Sequence, residues 1–233
     1  SKFSYDFSYK SSGKNTTITR KNEEYPFVKI KNNFSITGDY EAVNYKYWTY
    51  DWRVSFDKAE RYNSWDSKGY KKRFFKIAGS IFPNDNLKLK SEFRVKKEKE
   101  WLNWIGDNNL AVYDLNQRII SFDLNWFKGN KHEIRLKSQF VALEAKKPRA
   151  LFSINDGTLL NLDKEINSFS NGITSFQIRY RYELAPLSNI YLVYTKGGNI
   201  YEEDDDRSFS NILKDPWNNP DNEILSLKFR LKY

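Results

Sequence analysis

The sequence predicts an all-β fold: an antiparallel transmembrane β-barrel of about ten up-and-down strands, with residues 1–233 read as a single β-barrel region. Three observations predict it. Apolar and polar residues alternate with a period of two in one stretch after another, as a sheet with one apolar and one polar face requires. The connections between these stretches are in turn short, then long and polar, which is how membrane barrels separate tight turns from outer loops. Aromatic residues make up 17% of the chain, as Trp 7, Tyr 16 and Phe 17, and such side chains favour strands and membrane interfaces.

In chain order, Phe3, Tyr5, Phe7 and Tyr9 form the first apolar row. Trp48, Tyr50, Trp52, Val54 and Phe56 face away from Thr49, Asp51, Arg53 and Ser55. Leu87, Leu89, Phe93 and Val95 oppose Lys88, Lys90, Glu92 and Arg94, and Ile120, Phe122, Leu124 and Trp126 oppose Ser121, Asp123 and Asn125. Ile134, Leu136 and Phe140 oppose Arg135, Lys137 and Gln139. Phe176, Ile178, Tyr180, Tyr182 and Leu184 oppose Gln177, Arg179, Arg181 and Glu183. The last stretch is the clearest, with Leu225, Leu227, Phe229, Leu231 and Tyr233 set against Ser226, Lys228, Arg230 and Lys232.

Short connections are expected near Phe82–Asn86, Phe127–Lys131 and Ala185–Asn189, and long ones over Asp57–Gly69, Lys97–Asn116, Glu144–Asn171 and Lys196–Asn222. A two-sheet sandwich whose apolar face is its core also alternates. Long aromatic-flanked strands with alternating connection lengths favour the barrel over it.

Composition narrows the chemistry. Lys and Arg total 39 against 30 Asp and Glu, a formal net charge of +9, so anionic partners are expected. Cys 0 excludes disulfides and thiolate metal sites. Mean hydropathy is -0.79, and no apolar run approaches the roughly 18–20 residues of a transmembrane helix. Residues Ser1 to Lys10 lack the apolar core of a signal peptide and already alternate as a strand, so the chain reads as mature or as a fragment. Leu227, Phe229, Leu231 and Tyr233 look like a C-terminal assembly signal, a strand that barrel-assembly machinery can receive by edge pairing.

Beyond patterning, Glu100 to Tyr233 resembles the C-terminal barrel region of the carbohydrate-binding family 9 domain-containing outer-membrane proteins of Gram-negative bacteria, a region known only as a domain of unknown function. The matching stretches are Glu100-Trp101-Leu102-Asn103-Trp104, Phe122 to Phe127, Lys131 to Lys137, Gln177 to Ser188 and Ile190 to Gly197. The run Arg179 to Ser188 is the most specific. The resemblance implies a bacterial outer-membrane location and a chain that is the C-terminal portion of a longer protein, in which further strands enlarge the barrel. It brings no catalytic residue.

No catalytic, cofactor or metal site is expected. The one histidine, His132, sits beside a short turn, where a structural role is the simpler reading. Asp51, Glu92, Asp123 and Glu183 are interleaved with Lys and Arg and read as ion-pair partners rather than a glycosidase pair. The acidic run Glu202 to Asp206 lacks the spaced ligands of a calcium loop. The informative pattern is a basic inner face of Lys88, Arg94, Arg135, Lys137, Arg179, Arg181, Lys228 and Arg230, which suits an anion-favouring lumen.

The expected function is therefore that of an outer-membrane barrel, not an enzyme, which forms a porin-like basic pore or anchors a carbohydrate-binding domain. Its expected partners are outer-membrane lipid and lipopolysaccharide, the barrel-assembly machinery, and an anionic or saccharide solute. The alternative from another class is a soluble β-domain that binds acidic glycan or nucleic acid; the leading reading expects no nucleic acid.

Overall fold

Period-two alternation becomes antiparallel sheet throughout. The computed structural model describes residues 1–19, 27–30, 32–41, 45–59, 70–203 and 206–232. Its strands are β1 (Lys2–Lys10), β2 (Gly13–Asn15), β3 (Val28–Ile30), β4 (Asn33–Glu41), β5 (Trp48–Ala59), β6 (Tyr70–Asn84), β7 (Leu87–Gly106), β8 (Asn109–Lys128), β9 (His132–Ser153), β10 (Leu159–Asn161), β11 (Phe169–Ala185), β12 (Ser188–Glu203) and β13 (Asn222–Arg230), with one helix, α1 (Phe209–Asn218). The main sheet follows β1-β4-β5-β6-β7-β8-β9-β11-β12-β13, with β10 paired to β9 off that path and β2–β3 a separate small sheet. The path is an up-and-down meander. Among the described residues it is an open sheet, with β1 and β13 each paired on one side only.

Register places the alternating residues in continuous rows. Tyr40 pairs with Trp52 and Trp52 with Ile77; Ile77 pairs with Phe93 and Phe93 with Ile120; Ile120 pairs with Phe140. A second row runs through Leu89, Leu124, Leu136, Ile178, Tyr194 and Leu225. The apolar residues of the alternating stretches that lie on these strands thus share one face, and their polar neighbours share the other.

Strand lengths correct two of the expected connections. β7, β8 and β9 have 20, 20 and 22 residues, beyond the roughly 9–11 that a membrane strand needs. The segment expected as a long loop at Lys97–Asn116 is instead the far half of the β7–β8 hairpin, closed at Asp107 and Asn108. The Glu144–Asn171 loop is likewise strand as far as Ser153. Most of the loop expected over Asp57–Gly69 lies outside the described residues.

Two bulges mark where the sheet changes character. Register slips in β7 between Glu98 and Trp101, and against β9 between Val112 and Asp114. Glu100 and Lys147 take positive φ there, at 60° and 55°, and Arg149 reaches across β8 to ion-pair with Glu100. Beyond the bulges the strand ends are capped. Val28 joins Leu102, Leu110, Val112, Leu151 and Leu159 in a buried cluster, pinned by Lys29 N–H to the Gly157 carbonyl at 2.8 Å and by Lys29 Nζ to Asp156 at 2.7 Å. On the other side Ala111, Tyr113 and Ala145 gather Trp101, Ile166 and Phe169.

The expected loop at Lys196–Asn222 is corrected to the end of β12 followed by α1. Ser208 caps the helix by accepting from the Asn211 N–H, and Arg207 holds Asp215 at 2.7 Å and the Ser170 hydroxyl at 2.9 Å. Phe209, Ile212, Leu213, Pro216 and Trp217 recur at helical spacing and face the sheet, with Ile212 and Pro216 buried. Pro216 offers no N–H to the Ile212 carbonyl, and that carbonyl lies against Gly172 so closely that a Cβ there would overlap it. Gly198 meets the Pro216 backbone in the same way. Two glycines therefore let the helix backbone lie directly on β11 and β12.

Gly198→Ala is expected to lift α1 off the sheet and to cost about 1–3 kcal/mol, an overpacking penalty; denaturant unfolding measures the loss and Trp217 fluorescence reports the displaced helix. At the far end, the Lys29 ammonium, then the Thr158 hydroxyl and N–H, hold the Asp156 carboxyl at about 2, below its ordinary 3.8. A depressed folded pKa stabilises fully above the unfolded value and loses that effect as pH falls through the folded one. Docking of residues 27–30 on the Asp156 turn is thus expected to persist at pH 4 and weaken as pH nears 2, and amide exchange at Lys29 checks this.

Candidate functional site

The polar face of β7–β13 is built by the alternation itself. Lys88, Asn125, Arg135 and Arg179 form one row through register pairs. Lys90, Asp123, Lys137 and Gln177 form the next. Glu133, Arg181, Tyr191 and Lys228 form a third, and Glu183, Asn189 and Arg230 a fourth. Arg94 lies farther along β7, opposite Ile119. All eight basic residues expected from the sequence share this face.

Its electrostatic centre is a residue the sequence reading passed over. Glu133 has a side chain only 4% exposed, accepts a hydrogen bond from Arg179 at 3.3 Å and ion-pairs with Arg181 at 2.9 Å, with Arg135 as a third ion-pair partner. One carboxylate thus faces three guanidiniums, and its burial among them offsets the mutual repulsion of the arginines. The signal was available, since Glu133 follows the same odd-numbered alternation as Arg135 and Lys137.

Of the other expected acids, Asp51 and Glu92 are ion-pair partners, Asp123 stands between cations, and Glu183 faces an amide. Asp51 accepts Lys76 at 2.6 Å, and Glu92 holds Arg94 and lies 3.7 Å from Lys76. Asp123 stands in register between Lys90 and Lys137, while Glu183 pairs in register with Asn189. Near the turn ends of the strands, Lys88, Lys90, Arg135, Lys137, Arg179, Arg181, Lys228 and Arg230 outnumber Asp123, Glu133 and Glu183, so the face is cationic even after pairing. A depression of about 440 Å³ among Lys90, Glu92, Arg94, Asp123, Lys137 and Gln177 lies on it.

His132 lies on the opposite face of the sheet from these acids. It shares a 2.7 Å hydrogen bond with the Tyr180 hydroxyl and packs 5.0 Å from Tyr182, at the turn end of the apolar face. Of the acidic run, Asp204 and Asp205 lie outside the described residues, and Glu203 accepts from Asn167 at 2.9 Å. In the expected C-terminal signal, Leu227 and Phe229 lie on β13. They are 60% and 57% exposed and Leu231 beyond them is 52% exposed, while Tyr233 lies outside the described residues.

No protein-family model matches the chain, and a search of curated proteins gives no match. Fold and site define an antiparallel sheet with one apolar and one cationic face.

Glu133→Gln removes the charge that three arginines share. A loss of about 1–3 kcal/mol is expected, less than for a fully buried pair because the arginines are partly exposed; unfolding of the variant against Gln139→Glu, which adds an acid elsewhere on the face, measures it.

Proposed function

We propose that this chain forms the wall of a bacterial outer-membrane β-barrel whose basic polar face lines the lumen and favours anions. The observation that carries the proposal is the apolar face. Val54, Phe75, Ile77, Ile81, Phe122, Leu192 and Leu227 are exposed on it, and among the described elements only α1 packs over that band. A half-exposed Leu or Phe forfeits roughly 1 kcal/mol of burial. A dozen or so approach the whole stability of a domain, about 5–15 kcal/mol, so a sandwich would need a second layer here, whereas lipid covers the face without one.

The dimensions agree with a bilayer. From Leu87 to Val95 the band on β7 is roughly 27 Å along the strand, or about 21 Å high at a barrel-like tilt of about 40°. Its far limit is charged, with Arg73 paired to Lys97 and Arg118 to Val95. Its turn end carries aromatics: Tyr45, Trp48 and Tyr50 stack at 4.4 and 5.4 Å, with Trp126, Tyr180 and Tyr182 along the same margin. Such girdles sit at membrane interfaces.

Unpaired backbone is costly in hydrocarbon, so β1 and β13 take partners in the membrane. The path has an even number of strands and they run in opposite directions, so antiparallel closure on each other or through an even number of further strands is geometrically allowed. The resemblance to the carbohydrate-binding family 9 outer-membrane proteins supports the second form, and the outer membrane places lipid, lipopolysaccharide and the assembly machinery among the partners.

Reconstituted in a planar bilayer under a potassium chloride gradient, the chain is expected to conduct with a reversal potential on the chloride side. Replacing Lys137, Arg179 and Lys228 with Gln is expected to move it toward zero. Cation preference, or a preference unchanged by those replacements, contradicts a lumen lined by this face.

A further inference from the structure

Helix α1 does more than cover the sheet. Between it and the neighbouring strands lies a groove of about 370 Å³ lined by Ile120, Phe140, Leu213, Trp217, Ser210 and Lys214. Its floor is Ile120 and Phe140, a register pair on the apolar face, and one wall is Trp217, 6.0 Å from Phe140 and 5.4 Å from Phe176 between ring centroids. Beside the groove the apolar face continues in register through Phe93, and along β8 through Phe122. A lipid tail that enters the groove thus has an unbroken apolar track along the sheet.

The other end of the groove is cationic. Lys214 lines it and is exposed. Arg118, two residues from Ile120 on the same face of β8 and so roughly 7 Å along the strand, lies over the Phe209 ring at 3.9 Å. Arg118 thus flanks the groove beyond its Ile120 floor, and Lys214 lines it from the helix side. Among the described residues neither has a carboxylate partner within ion-pair distance. Cations left unpaired at the margin of an apolar face invite an anion delivered from the same lipid layer.

We infer that α1, β8 and β9 form a binding site for an anionic lipid, its acyl chain in the groove against Ile120, Phe140 and Trp217 and its phosphate on Arg118 and Lys214. The inference rests on the membrane placement proposed above and gives that placement one defined lipid contact. The apolar floor selects an acyl chain over a free ion, and the two cations select a net-negative headgroup over a zwitterionic one. Gly172 and Gly198 set the groove's depth, because they allow α1 to sit close enough to β11 and β12 for Trp217 to form its wall.

The test folds the full chain into phosphatidylcholine vesicles in which a minor fraction is acyl-brominated phosphatidylglycerol or, separately, the same fraction of acyl-brominated phosphatidylcholine. The quenching of Trp217 is read as the difference between the wild type and Trp217→Phe. Brominated phosphatidylglycerol is expected to quench it several-fold more strongly, and the preference is expected to vanish in Arg118→Gln/Lys214→Gln and to fall in Lys214→Gln alone, an exposed change that leaves the fold intact. Excess inorganic phosphate is expected to leave the preference in place; its abolition would mark a simple anion site and overturn the lipid assignment. Equal quenching by the two lipids in a chain that has inserted overturns the site while leaving the membrane reading standing. A chain that stays in the aqueous phase overturns both.

Discussion

In-register antiparallel pairing is the constraint on which everything else in this molecule depends. Side chains alternate with a period of two, so a slip of one residue at any ladder would carry a strand's apolar set to the polar face. Apart from bulges at the turn ends of β6, between Ile81 and Asn84, and of β11, between Glu183 and Ala185, no such slip occurs in the apolar band between β5 and β13, where Trp52, Ile77, Phe93, Ile120 and Phe140 follow one another across five strands. The same registers assemble Arg135, Arg179 and Arg181 around Glu133. An apolar face and a cationic face are thus two products of one pairing pattern.

The other irregular features fall beyond that band. The bulges at Glu100 and Lys147 lie past its charged limit, and bulges raise local twist and end regular alternation. Past them the buried clusters around Leu110 and Tyr113 resemble an ordinary water-soluble core. The chain thus uses two packing regimes, one that leaves apolar side chains outward and one that buries them. Helix α1 joins the two, with its apolar side on Phe140 and Phe176 and Lys214 exposed.

Much of this was legible from residue pattern. The rows at Phe176–Leu184 and Leu225–Leu231 are strict enough that strand, apolar face and basic face all follow from alternation. The far halves of β7 and β8 were not, because Lys97 to Glu100 is a charged run without alternation and the bulge at Glu100 breaks the period. Polar composition there reads as loop, whereas the strand is held by its neighbours' ladders. The helix was hidden by Pro216, an interior helix breaker by local rules, although Ser208 and the spacing of Phe209, Ile212, Leu213, Pro216 and Trp217 carry its signal. Glu133 is hard to single out in sequence because the three arginines that surround it come from two strands, β9 and β11, and meet only through register.

The central claim is that lipid, rather than another protein layer, covers the apolar face. The most direct measurement compares refolding in buffer with refolding in detergent or lipid vesicles, read by electrophoretic mobility in sodium dodecyl sulfate before and after boiling. The account predicts folding that requires detergent or lipid and a compact band that shifts only on heating. A monomer that folds in plain buffer and shows no heat-dependent shift would contradict it, and would favour a soluble β-domain instead.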